Sequence, residues 1–136
     1  MRRAAGALAA FAVLAMGACG GEARDLFLVT RSGDVPGAKL TLRVTDDGRA
    51  SCNGRPLVDI TSAQLIAARE SERDVEPSAK AQLRLAAGAQ PVFSYRVRTE
   101  VGGVAWSDDS RHQPAVLFKL ARLTRDVARG PCHLAR

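Results

Sequence analysis

Aromatic side chains make up only 4% of the 136 residues, with four Phe, one Tyr and one Trp. A surface that stacks nucleic-acid bases on aromatics set among basic residues has little to draw on, and no aromatic residue interleaves with the basic ones here. Histidine is scarcer still. His112 and His133 are the only two, and neither belongs to a metal-ligand motif, so neither a metal nor another cofactor is expected. Three cysteines are too few for a disulfide-dense miniprotein. The chain has no P-loop, no Gly-x-Gly-x-x-Gly and no Gly-x-Ser-x-Gly elbow, so no catalytic residue is assigned. Collagen-like, coiled-coil and low-complexity bias is missing too. What is there is 46% hydrophobic and 25% charged, with 20 basic against 14 acidic residues. That composition suits one globular domain.

The N-terminus stands apart from the rest. Arg2 and Arg3 form a short positive region, followed by the uncharged run 4–16. As a helix that run spans about 20 Å, short of the roughly 30 Å of bilayer hydrocarbon. It fits the apolar core of a signal peptide. The stretch Leu14-Ala15-Met16-Gly17-Ala18-Cys19 resembles the lipobox of bacterial lipoproteins, with Met16 where that family prefers Leu. The resemblance implies cleavage after residue 18 and a diacylated Cys19 as the new N-terminus. Residues 19–25, with Gly20-Gly21, would form the tether, and 26–136 the domain. The protein is then expected at the extracytoplasmic face of the cell membrane, held by lipid. A plain secretory signal cut at Ala15-Met16-Gly17 is the alternative, giving a secreted protein with a spare thiol. Arg2-Arg3 also suggests twin-arginine export, but the hydrophobic residues that motif places next are missing.

With Cys19 lipidated, Cys52 and Cys132 remain. Export puts them in an oxidising compartment, where a pair becomes a disulfide. Two free buried thiols are the alternative. Removal of residues 1–18 leaves 18 basic against 14 acidic residues, and only Lys39, Lys80 and Lys119 are lysine. The arginine bias fits a GC-rich genome as readily as a binding function.

The periodicity predicts an α+β domain. Leu26 to Arg31 is β-prone without a helical period, and 32–37 is a turn cluster. Leu40, Leu42 and Val44 alternate with Lys39, Thr41, Arg43 and Thr45, the pattern of a half-buried antiparallel strand. Asp46-Asp47-Gly48 is a hairpin turn leading to a partner strand at Arg49–Cys52. Thr61 and Gln64 fit a capping box, opening a helix over Ser62–Val75 that Pro77 should interrupt. Ser78 to Leu85 reads as a second short helix or an extended lead-in. Phe93, Tyr95 and Val97, then Val104 and Trp106, mark two more strands. Pro114 suits the first turn of a helix carrying Val116, Leu117, Leu120, Leu123, Val127 and Ala128 at spacings of three and four. The predicted order is β-β-β-α-β-β-α: a two-layer fold with one antiparallel sheet of about five strands and two main helices on one face.

Two features point to binding. Lys39, Arg43, Arg96 and Arg98 share the polar parity of their strands, and Arg49 can join them. Side by side they would form a basic face for an acidic protein or another anionic envelope component. An ordinary solvated sheet face is the bland reading. Asp108, Asp109 and His112 lie together as a weak cation site or, more simply, a polar loop before a helix. Tyr95 and Trp106 fall on the apolar parity and belong to the core.

Residues 25–132 resemble uncharacterised lipoproteins of high-GC Gram-positive bacteria (actinobacteria). The resemblance rests on Asp25 to Gly33, on Leu40 through Cys52-Asn53-Gly54, on Phe93-Ser94-Tyr95-Arg96-Val97 and on Cys132. It implies an envelope lipoprotein and no activity. A weaker likeness is to small inhibitors of thermolysin-like proteases, through the first turn at Ser32-Gly33 to Pro36-Gly37, the Tyr95-Arg96-Val97 strand and a closing helix. The expected function is a non-catalytic, membrane-anchored binding module with no nucleic-acid partner. A protease inhibitor using the 31–37 loop is the alternative.

Overall fold

Alternating apolar residues build the sheet. The computed structural model describes residues 20–136, so Cys19 and the segment before it lie outside the described residues. Six strands are present: β1 (Asp25–Ser32), β2 (Leu40–Thr45), β3 (Arg49–Cys52), β4 (Val58–Asp59), β5 (Ser94–Thr99) and β6 (Gly102–Ser107). They lie in the order β4-β3-β2-β1-β5-β6, and every pairing is antiparallel. Helices α1 (Ser62–Lys80) and α2 (Ala115–Arg129) complete an α+β fold. The expected element order holds with one addition. Two-residue β4 follows Pro56 and is too short to show a pattern.

Register explains where the core sits. Cys52, Leu42, Val29, Val97 and Val104 stand opposite one another across five strands, and all are buried. The next row toward the Ser32 end is Leu40, Arg31, Tyr95 and Trp106. Both rows share the parity that faces the helices. On α2, Val116, Leu117, Leu120, Leu123, Val127 and Ala128 are buried, as their spacing requires. On α1 the buried residues are small: Ala68, Ser71, Val75 and Ala79. Among the described residues no helix is long and apolar enough to cross a membrane.

Cys52 and Cys132 form a disulfide, with Cα atoms 6.2 Å apart. It ties the end of β3 to the tail beyond α2. The backbone of that tail is also held: the Cys132 amide donates to Val127 O and the Leu134 amide to Ala128 O.

The capping box forms as the sequence implies. The Gln64 amide donates to Thr61 Oγ1 at 3.1 Å, and the Thr61 amide donates to Gln64 Oε1 at 2.9 Å. Thr61→Ala should destabilise the domain by about 1 kcal/mol, read by chemical denaturation, because it strands an amide at the start of α1.

Pro77 does not interrupt α1, contrary to expectation. The helix runs on to Lys80. A proline inside a helix costs about 3 kcal/mol in isolation, and tertiary packing outweighs it here. Val75 and Ala79 are fully buried, and the helix end is closed by amides of Ala81, Gln82 and Leu83 donating to Pro77 O, Ala79 O and Ser78 O. The segment after it is extended. Arg84 pairs with Ala105 in an isolated parallel bridge, through Leu85 N to Ala105 O and Ala105 N to Leu83 O. Pro114 is the N-cap of α2, one position earlier than its preferred site in the first turn.

Candidate functional site

The predicted basic residues fall on the open side of the sheet. Arg43, Leu28 and Arg98 stand in one row across β2, β1 and β5, and Thr30 lies between Thr41 and Arg96 in the next. Lys39 precedes β2 and is exposed. The four do not act alike. Arg43 donates to Asp25 Oδ1 at 2.6 Å and to Glu22 Oε1 at 2.8 Å, which holds the Glu22 carboxyl below its usual range. Arg49 is paired with Asp47. Arg96 and Arg98 form no ion pair among the described residues, and they flank a hollow of about 450 Å³ with Arg84 and Glu100. So among the described residues the face is neutralised at Arg43 and Arg49 and keeps free charge at Lys39 and on β5.

Asp108 and Asp109 hold a loop. Asp109 accepts hydrogen bonds from the amides of Gly88 and Gln90, both at 2.8 Å, and Asp108 accepts from Val92 at 3.0 Å. His112 sits at φ 56° in the turn beyond and is exposed.

The more built site is on the helix side, and the sequence reading missed it. At the Ser32 end of the sheet α2 leaves a cleft of about 740 Å³ uncovered. Its floor is the row Arg31, Tyr95, Trp106. The Tyr95 and Trp106 rings stack with centroids 5.1 Å apart and planes 12° apart. Phe93 meets Tyr95 edge-on, and the Arg31 guanidinium lies 5.0 Å from the Phe93 ring centre. One wall is a stripe of α2: Phe118, Arg122, Arg125 and Arg129, at spacings of four, three and four. Arg136 closes the other side.

Arg31 is the unusual member. It occupies a core position of β1 and is 2% exposed, yet no carboxylate pairs with it among the described residues. Its Nε donates to Ala38 O at 2.8 Å and its Nη2 to Gly37 O at 3.1 Å, so it braces the β1–β2 connection from inside. Arg31 is therefore turned inward rather than out on the 31–37 loop. Burial lowers its pKa, partly offset by the neighbouring Tyr95 phenol, and the like charge of Arg136 lowers it further. An arginine stays charged through such a shift. Burial raises the Tyr95 pKa, so the phenol remains a donor at neutral pH. Trp106 Nε1 is buried and has no hydrogen-bond partner among the described residues.

Tyr95 and Trp106 are core residues, as their parity predicts, and they also wall the cleft. The sequence carried two signals for this site. One is a charge on the apolar parity of β1, after Phe27 and Val29. The other is the arginine stripe on the flank of α2 beside its leucines. Compared with known proteins, the chain matches no family model, no curated protein and no solved structure.

Proposed function

We propose that the protein is an extracytoplasmic lipoprotein, anchored through lipid on Cys19, whose domain works by binding rather than catalysis. The observation that carries this is the Cys52–Cys132 disulfide. An exported protein meets the oxidising conditions that sustain such a bond, and the pairing leaves Cys19 as the one remaining cysteine, in a lipobox-like context. The tether is short. Asp25 begins β1 six residues after Cys19, a reach of about 20 Å. Arg24 is already engaged with Glu72 and close to Asp46. The Asp25 end of the sheet then faces the headgroups, and the Ser32 end points away.

Binding fits the chemistry of the available surfaces. The cleft offers guanidinium and aromatic groups, and the one acidic side chain that lines it, Asp108, already accepts the Val92 amide. An acidic protein or another anionic envelope component is the partner class.

The test is the intact mass of protein purified from membranes of a lipoprotein-processing host, beside a Cys19→Ser variant. A diacylglyceryl group on Cys19 is expected. The variant should leave the membrane fraction almost entirely, because two acyl chains anchor stably and none do not. Soluble wild-type protein beginning at another residue would overturn the anchor.

A further inference from the structure

We infer that the cleft between α2 and the Arg31–Tyr95–Trp106 row is a binding site for an extended acidic peptide segment of a partner protein, with one apolar side chain seated among the carboxylates. This deepens the binding role proposed above; the anchor enters only in deciding against a bilayer as the ligand.

Three observations converge. The first is Arg31. A buried guanidinium with no carboxylate of its own is costly, and an anion that enters the cleft supplies the missing charge. It keeps its aim because two backbone carbonyls and the Phe93 ring hold it. The second is the α2 stripe. Arg122, Arg125 and Arg129 stand about 4.5 and 6 Å apart along the helix axis. Alternate residues on one side of an extended chain repeat at about 6.6 Å, so carboxylates at every second position can match the row. Of the α2 residues, only Asp126 competes, through exposed contacts to Arg122 at 3.9 Å and Arg125 at 3.5 Å. The third is Phe118, 58% exposed at the head of the stripe. An apolar side chain of the ligand can cover it.

The same groups decide against other anions. Sugar hydroxyls need acceptors as well as donors, and the cleft supplies almost only donors. Tyr95 and Trp106 are stacked on each other and buried, so their faces are not offered to a pyranose ring. An anionic bilayer is disfavoured by position. β1 runs eight residues from its tether end to Ser32, so the cleft lies roughly 25 Å from the anchor end.

Trp106 is the only tryptophan in the chain, so its emission reports on this cleft alone. The probe is a synthetic peptide of alternating glutamate and glycine around a central phenylalanine, titrated into the purified protein in a non-ionic micelle. A saturable change in Trp106 emission is expected, weakening with added salt. Arg122→Glu with Arg125→Glu should weaken binding roughly tenfold or more, and both sites are exposed, so folding is not at stake. Arg96→Glu with Arg98→Glu, on the opposite face, should leave affinity within about twofold. No saturable change, or an unchanged affinity in the α2 variant, overturns the site. Tighter binding of polygalacturonate or of phosphatidylglycerol vesicles than of the peptide overturns the ligand class. Because the titration needs no lipid on Cys19, a soluble protein that binds the peptide would sink the anchor and leave this site standing.

Discussion

Replacing both Cys52 and Cys132 by alanine should lower stability by about 3 to 4 kcal/mol, and the melting temperature by roughly 15 °C. The bridge spans 80 residues, and chain entropy alone gives about 4.5 kcal/mol for a loop of that size. The measured value should be smaller, because real unfolded chains keep some compactness. Denaturant unfolding separates the causes. If the bridge acts mainly by restricting the unfolded chain, the variant also shows a steeper dependence on denaturant, since its unfolded state exposes more surface. Little native packing goes with the bridge, only two sulfur atoms at one end of the Cys52–Leu42–Val29–Val97–Val104 row. A loss under about 1 kcal/mol with an unchanged slope would mean that the tail is held by its backbone bonds to Val127 and Ala128 instead. The variant should also loosen the tail that brings Arg136 to the cleft, so it is expected to weaken the acidic peptide slightly.

That result would also bear on how the fold was legible. The pairing of Cys52 with Cys132 followed from counting cysteines and from export, and the structure places the two together. β2 and β5 were legible because each alternates between an apolar and a polar face, and β6 because Val104 and Trp106 fall on one parity. α2 was legible because its apolar residues keep one stripe over fifteen residues. α1 was only half legible. Its buried face is Ala68, Ser71, Val75 and Ala79, too small and too polar to stand out, and Pro77 looked like an end. What carries α1 past the proline is packing against distant residues of the β5–β6 hairpin, which local pattern does not encode. β4 depends wholly on its neighbour β3 for its existence.

The candidate site divides the same way. The open-face arginines were found because parity within a strand is a local property. Their ion pairs were not, since Arg43 meets Glu22 and Asp25 from a different strand and the tether. The cleft draws on β1, β5, β6, α2 and the tail, and only the register across β1, β5 and β6 sets Arg31 beside Tyr95 and Trp106. The local marks are the arginine stripe of α2 and a charge at a core position of β1, and the second is easily passed over in a run as short as Leu26 to Arg31.

The tightest point in the fold yields the other large effect. Gly102→Ala should destabilise the domain by about 3 to 5 kcal/mol. Gly102 opens β6 with φ 152°, which side chains rarely adopt, and an added Cβ would lie 2.1 Å from the Ala79 carbonyl oxygen and 2.8 Å from its carbon. The obstacle is backbone near the end of a helix, so no side chain can swing away. Either the β5–β6 turn must change its path or α1 must lift from the sheet, exposing Val75 and Ala79. Strain at the dihedral contributes about 1 to 3 kcal/mol and overpacking a similar amount. Gly54→Ala isolates the first contribution. Gly54 has φ 72° and open space around its Cβ position, so it should lose only about 1 kcal/mol. Urea unfolding of the two variants side by side gives the comparison, and equal losses would mean that α1 yields freely at Ala79. A large excess for Gly102 would show the contact that keeps α1 helical beyond Pro77. The same contact sets α1 against the sheet, and α2 packs against α1, so the wall of the cleft depends on it at a distance.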